Sequence, residues 1–233
     1  LDEYHKWLSY QKKWKEERNH SLQSLEFPFS YREGQRKMVS SVYHTIGASR
    51  QIFIQAPTGV GKTMSTIFPA VRAVGEGKGE TIFYLTAKTI TRTVAQEAFE
   101  VLREKGMKYK VVTITAKEKL CFMDETKCDP VHCPYARGHF DRVNDAVYEL
   151  WTTKSRYDRE TIREQAEKWQ VCPFEMCLDL SVWVDAVICD YNYVFDPTVH
   201  LKRFFGEGAG GDYIFLIDEA HNLAERGREM YSA

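Results

Sequence analysis

The sequence predicts an α/β fold, a parallel sheet with helices on both faces, interrupted by an insertion. Three observations carry that prediction. Up to residue 115, short apolar runs of strand length alternate with helix-length segments. Over residues 116–184 the alternation stops, and five of the six cysteines fall there. Strand character then returns at Ala186–Cys189 and Tyr213–Ile217.

Each element has its own local reason. In residues 1–18, Tyr4, Trp7, Leu8 and Trp14 can share one helix face, with Lys6, Lys12, Lys13, Lys15 and Arg18 around it. Such a helix packs on the core or on an upstream domain, or else it touches nucleic acid. Phe27-Pro28-Phe29 reads as a linker into a helix near Gly34–Ile46. The apolar run Gln51–Ala56 reads as a strand, followed by a Gly-rich turn and a helix from Lys62 to Val74, which Gly75–Gly79 ends. Thr81–Thr86 and Val111–Thr115 are strands, with a helix at Val94–Lys105 between them. Inside the insertion a helix is expected at Arg159–Trp169, and Gly206–Gly211 reads as a mobile loop.

Composition bounds the rest. A chain of 233 residues with 43% hydrophobic content can bury a core, as one domain or one domain with an insertion. No apolar run reaches the roughly 18 residues of a membrane span. The N-terminus alternates charged and aromatic residues and is no secretory signal, so a cytoplasmic protein without a membrane partner is expected. The chain opens on Leu1 and stops soon after a motif that ordinarily lies mid-domain, which reads as a piece of a longer protein. With 32 Lys plus Arg against 33 Asp plus Glu, binding to a polyanion must rest on a local basic surface. Six cysteines without an export signal point to a reducing compartment, where clustered thiols usually mean metal.

Two motifs carry phosphate chemistry. In Ala56-Pro57-Thr58-Gly59-Val60-Gly61-Lys62-Thr63 the glycines let the backbone wrap an anion at a helix N-terminus. Lys62 reaches the β- and γ-phosphates of ATP, and the Thr63 hydroxyl suits Mg²⁺. Pro57, Thr58, Gly59, Val60 and Gly61 form the cradle. Asp218-Glu219-Ala220-His221 follows the apolar run Tyr213–Ile217, so its carboxylates face the same crevice. Asp218 would hold Mg²⁺, Glu219 would orient or deprotonate the attacking water, and His221 would sense the nucleotide.

These motifs resemble motifs I and II of superfamily 2 helicases of the DEAH-box type. Tyr31-Arg32-Glu33-Gly34-Gln35 resembles the adenine-reading segment of those motors, which implies nucleotide contacts from Arg32 and Gln35. Thr86-Ala87-Lys88-Thr89 resembles motif Ia, which touches the translocated strand; Lys88 reads equally as a solvated lysine.

About 155 residues separate Lys62 from Asp218, long for this part of such a domain. Within the excess, Cys121, Cys128 and Cys133 are spaced x6 and x4, with Cys172 and Cys177 far downstream. Zinc sites favour tighter pairs, whereas this spacing suits a cluster held by thiolates from separate loops. Zinc, or buried cysteines without a ligand, are the alternatives. Lys119-Leu120-Cys121, Cys128, Cys133-Pro134-Tyr135 and Cys172-Pro173-Phe174 resemble the four ligand sites of the XPD/DinG iron–sulfur helicases. That resemblance implies a [4Fe–4S] cluster on Cys121, Cys128, Cys133 and Cys172, with Cys177 a non-ligand. Cys189 reads as a small core residue. Phe122, Tyr135, Arg137, His139, Phe140 and Arg142 interleave aromatic and basic character near the ligands. They suit single-strand contacts or ordinary solvated faces. Asp190-Tyr191-Asn192-Tyr193-Val194-Phe195-Asp196-Pro197 resembles a further family segment, with Tyr191 or Tyr193 near the insertion or DNA.

The resemblance covers roughly residues 27–233. It implies a RecA-like first motor domain at 27–115 and 185–233, a cluster domain at 116–184, and an N-terminal helical segment at 1–26. It further implies an ATP-dependent DNA helicase that moves 5′ to 3′ on single-stranded DNA, works at forks in repair or replication, is monomeric, and needs a second RecA-like domain. Rival readings are the motor of an ATP-driven nuclease–helicase, a nucleic-acid-binding module with an inert ATP site, and an RNA-directed motor.

Overall fold

The structure, a computed structural model, describes residues 2–57 and 59–232. In chain order the helices are α1 (Asp2–Gln23), α2 (Gln35–Gly47), α3 (Lys62–Gly75), α4 (Thr89–Glu104), α5 (Lys117–Leu120), α6 (His139–Thr153), α7 (Arg159–Trp169), α8 (Pro173–Ser181), α9 (Asn192–Phe195), α10 (Lys202–Phe205) and α11 (Leu223–Tyr231). The strands are β1 (Thr81–Leu85), β2 (Val111–Thr113), β3 (Arg156–Tyr157), β4 (Ala186–Cys189) and β5 (Tyr213–Ile217). The chain forms two compact units: Leu1–Lys12 with Lys110–Val187, and Lys13–Tyr109 with Ile188–Ala233. Strand β4 straddles the division. Among the described residues, no helix is long and apolar enough to cross a membrane.

In the second unit β1 and β5 run parallel in the register Thr81↔Tyr213 to Leu85↔Ile217. The amide of Thr86, just past β1, donates to the carbonyl of Cys189 at the end of β4 (3.1 Å). The core is aliphatic and aromatic: Ile67, Ala70 and Val71 of α3, Ile82 and Phe83 of β1, and Phe99 and Leu102 of α4 are all buried. Helix α3 can bury nearly its whole length because its residues are small or apolar on every side.

The first unit has a core of its own. Val143, Ala146, Leu150 and Trp151 of α6, Ile162 and Ala166 of α7, and Met176 and Leu180 of α8 are buried. Helix α1 adds Trp7 and Tyr10, whose rings lie 5.5 and 4.6 Å from Trp151. Strand β2 pairs β3 in parallel, Val111 beside Arg156 and Val112 beside Tyr157. The side chain of Lys110 is buried, its ammonium donating to the carbonyls of Trp151 and Lys154.

Strands β4 and β5 and helix α7 have the bounds the sequence predicts. Three elements differ. The run Gln51–Ala56 is not a strand; residues 51–55 are exposed, Phe53 most of all. Among the described residues no strand pairs with it, and an extended segment without a partner leaves its backbone to water. Helix α4 begins at Thr89 rather than Val94, because its first turns are rich in β-branched threonines that blur a helical pattern. Helix α1 continues to Gln23. Its packed face pairs Trp7 with Tyr10, while Tyr4 and Leu8 are exposed and Arg18 is buried.

Candidate functional site

The nucleotide-type site lies in the second unit, at the C-terminal ends of β1 and β5. Helix α3 opens at Gly61, whose φ of 74° is left-handed. A Cβ there would also lie 2.7 Å from the Gln35 amide nitrogen and would displace that side chain, but it is the left-handed backbone that favours glycine. Gln35 and Arg32 grip the loop from below. The Gln35 amide donates to the Val60 carbonyl (3.1 Å) and accepts from the Arg32 backbone N–H (3.0 Å). The Arg32 guanidinium donates to the Gly59 carbonyl. Gln35, Met38, Ile54, Pro57 and Val60 border a cavity of about 340 Å³. Thr58 lies outside the described residues.

Lys62 leads the helix, its ammonium donating to the Ala56 carbonyl (3.3 Å) and lying 3.9 Å from a Glu219 carboxylate oxygen. Asp218 follows β5, its amide donating to the carbonyl of Leu85 in β1 (2.9 Å). Burial pushes its carboxyl above the ordinary value, while a hydrogen bond from the Tyr84 hydroxyl partly offsets this. Tyr84 also hydrogen-bonds Thr63, so one buried phenol joins Thr63 to Asp218. The Tyr191 hydroxyl donates to the carbonyls of Asp218 and Glu219. Burial pushes its own pKa up to about 12. His221 is largely exposed, with Nε2 3.5 Å from the Glu219 carboxylate. Arg226 of α11 donates to Asp190 (2.9 Å) and Asn192 (2.8 Å), tying the segment after the acid pair to that after β4.

Lys62, Thr63, Asp218, Glu219 and His221 thus come together. The fit to Mg²⁺ is chemical: a hydroxyl and a carboxylate share one phenolic partner, and both are oxygen donors. Sequence reasoning missed Tyr84, Tyr191 as a support of the acid pair, and Arg226. The one available signal was a tyrosine inside an otherwise apolar strand. Lys88 and Thr89 are exposed at the start of α4.

The cysteine site lies in the first unit. Cys121, Cys128, Cys133 and Cys172 all border one cavity of about 290 Å³, and Cys177 does not. Cys121 follows α5, Cys133 is buried, and Cys172 occupies the N-cap position of α8 without a side-chain cap hydrogen bond. Burial raises the Cys172 thiol. Cys177 is buried, its thiol pushed up to about 12, and Cys189 is buried and raised as well. The Lys117 ammonium bonds Cys128 and is itself raised by that contact.

Among the described residues, no group of three or more His, Cys, Asp or Glu side chains converges tightly enough to hold a metal ion. A single zinc would draw its sulfurs to about 2.3 Å from one point. Four thiols spread around a cavity suit a larger polynuclear group better than one ion. Two of the expected strand-contacting arginines are spent on the protein. Arg137 donates to Pro130 and Val131 carbonyls, and Arg142 to those of Trp169 and Gln170. Phe140 is exposed, whereas Phe122 and Tyr135 pack together at 4.6 Å.

A phosphate loop facing an acid pair across parallel strands defines a P-loop nucleotide site. Comparison with known proteins narrows this. A family model described as DEAD_2 matches residues 89–233, and one described as DEAD/DEAH box helicase matches residues 32–134. The chain belongs to the DEAD_2 family. It is 23% identical over 202 residues to a probable ATP-dependent helicase of Methanocaldococcus jannaschii, matching 85% of this chain and 29% of that protein. It is also 23% identical over 247 residues to a regulator of telomere elongation helicase 1 homolog of Caenorhabditis briggsae, matching 87% of this chain and 24% of that one. The chain therefore spans about a quarter of the length of these relatives. A solved structure titled XPD helicase superposes with a TM-score of 0.57 at 18% identity, over 84% of this chain and 34% of the other. The fold is accordingly α/β and RecA-like.

Proposed function

We propose that this chain is the ATP-binding part of an ATP-dependent DNA helicase that moves 5′ to 3′ on single-stranded DNA and opens forked duplexes in repair or replication. The observation that carries the reading is the convergence of Lys62, Thr63, Asp218 and Glu219 at the ends of two parallel strands. The motor domain is assigned to 27–115 and 185–233, the cluster domain to 116–184, and 1–26 to an N-terminal helical segment.

Lys62 binds the β- and γ-phosphates, with the loop 57–61 around them and the backbone N–H groups of Gly59, Val60 and Gly61 as donors, since Pro57 has none; Thr58 belongs to this cradle by sequence. Gln35 borders the place of the base and also braces the loop, and Arg32, whose guanidinium bonds the Gly59 carbonyl, contacts the nucleotide from the loop side. Mg²⁺, when bound by Thr63 and Asp218, would neutralise charge on the transferred phosphoryl group. Glu219 accepts the proton of the attacking water, and His221, against Glu219, relays the state of the site. Cys121, Cys128, Cys133 and Cys172 would hold a [4Fe–4S] cluster, which supplies a rigid anchor for the loops between them. The working enzyme is proposed to be monomeric and cytoplasmic, and to need arginines from a second RecA-like domain; losing such an arginine costs about 10³–10⁵ in rate in related phosphoryl transfer.

The test is titration of anaerobically purified protein with a fluorescent ATP analogue, alongside single-strand-stimulated hydrolysis. Lys62→Ala should lower affinity for the Mg-bound analogue at least about tenfold, the worth of one charge-assisted contact. Nucleotide binding that ignores Lys62, with DNA binding intact, would favour a nucleic-acid-binding module instead.

A further inference from the structure

His139 is 4% exposed and opens helix α6 beside the cysteine cavity, which its ring borders. Its Nδ1 accepts the backbone N–H of Cys172 at 3.2 Å. An accepting Nδ1 carries no proton, so in the neutral ring the proton resides on Nε2. Nε2 is itself buried and has no hydrogen-bond partner among the described residues. A buried N–H without an acceptor is costly, and native structures rarely keep one.

The tautomer decides what this nitrogen can do. To bind a metal, Nε2 would have to surrender its proton to Nδ1, and Nδ1 would then face the Cys172 amide donor to donor. His139 is therefore no fifth ligand. It is a hydrogen-bond donor held in place by the backbone of a cysteine on the same cavity. The acceptors that a four-cysteine cavity offers are sulfurs.

We propose that the Nε2–H of His139 donates to a sulfur of the cluster held by Cys121, Cys128, Cys133 and Cys172, and so sets how readily that cluster takes up one electron. This rests on the cluster reading given above. A donor to sulfur stabilises the reduced cluster, which carries one more negative charge, over the oxidised one. Removing the donor lowers the reduction potential. His139 is thus a positioning and tuning residue, not a ligand.

The test uses the whole chain, purified anaerobically, with iron and sulfide measured before an electron paramagnetic resonance redox titration. His139→Asn keeps an acceptor near Nδ1 and loses the Nε2 donor; His139→Gln supplies an amide donor near Nε2. The Asn variant should be about tenfold harder to reduce, a shift of about 59 mV for one electron, and the Gln variant should stay near wild type. In dithionite-reduced wild type carrying ¹⁵N-histidine, a ring nitrogen should show hyperfine coupling to the cluster, and the coupling should vanish in both variants. That measurement holds even where a variant fails to assemble. Wild type without iron and sulfide would overturn the cluster reading itself. Wild type with a cluster but no histidine coupling, or with equal potentials in all three proteins, would overturn only the role of His139. A shift in the Gln variant alone would do the same, since it would mean that the ring acts solely through Nδ1.

Discussion

Glu219 adopts φ 51°, a left-handed conformation that costs a non-glycine residue of order 1 kcal/mol. Something must hold it there. The Tyr191 hydroxyl donates to the Asp218 carbonyl before Glu219 and to the carbonyl of Glu219 itself, and the Asn222 amide also donates to the Glu219 carbonyl (3.1 Å). Tyr191→Phe removes the first support and leaves the packing of the buried ring. One hydrogen bond contributes about 0.5–1.5 kcal/mol, so affinity for the Mg-bound ATP analogue should fall about twofold to twelvefold. Affinity measured in EDTA should not change, because Asp218 and Glu219 are proposed to act through the metal and the water. Equal losses with and without Mg²⁺ would mean that Tyr191 only stabilises the fold. Lys62, Thr63, Asp218 and Glu219 were legible in the sequence because their chemistry is confined to short contiguous motifs. Tyr84 and Tyr191 were not, because their role arises only where β1, β5 and the end of β4 meet.

Local pattern was enough for some elements and not for others. Helix α7 is bounded by features that sequence displays: Asp158 caps it by accepting the Thr161 N–H (3.0 Å), and Gln170 ends it in a left-handed turn. The run Gln51–Ala56 displays apolarity but not whether a strand lies beside it, and pairing decides whether such a run becomes a strand. The join of α6 to α7 is likewise a matter of contacts. Glu149 accepts from Trp169 Nε1 (2.6 Å), Gln165 Nε2 (3.0 Å) and Lys168, with Lys168 the largest influence, and its pKa is held down at about 2. Since this lies below the ordinary 4.5, the ionised carboxylate contributes stability that is complete above pH 4.5. That contribution is lost as pH falls from there toward 2. Glu149→Gln should therefore unfold more easily than wild type at pH 7, by about 1 kcal/mol after discounting for the partly exposed site. Urea titrations of the two proteins should converge as the pH approaches 2. A constant difference across that range would assign the effect to packing rather than charge.

At the scale of the molecule, the two sites sit in separate compact units, each with its own core. In the sequence the segment 116–184 shows as a break in rhythm with one legible helix, α7, but its packed helical core does not show. This segment does not depend on its cysteines alone for packing. Instead α6, α7 and α8 bury Trp151, Leu150, Ile162 and Met176, and Trp7 stacks on Trp151 and lies 4.6 Å from Trp183. The stretch that lacks apolar support is narrower. From Cys121 to Gly138, Cys133 is the one buried residue, so those turns have no buried apolar core to fix them beyond local contacts such as Phe122 on Tyr135. If the proposed cluster is what fixes them, its removal should act locally. Oxidising and chelating the iron should raise amide hydrogen exchange across 121–138 and leave α6 to α8 protected. Tryptophan fluorescence should hardly move, because Trp7, Trp151 and Trp183 report on the aromatic core rather than on the cavity. Affinity for the ATP analogue should change less than about twofold, within ordinary additivity for independent sites. Loss of protection throughout α6 to α8, together with a tryptophan shift, would show instead that this core depends on the cluster to fold.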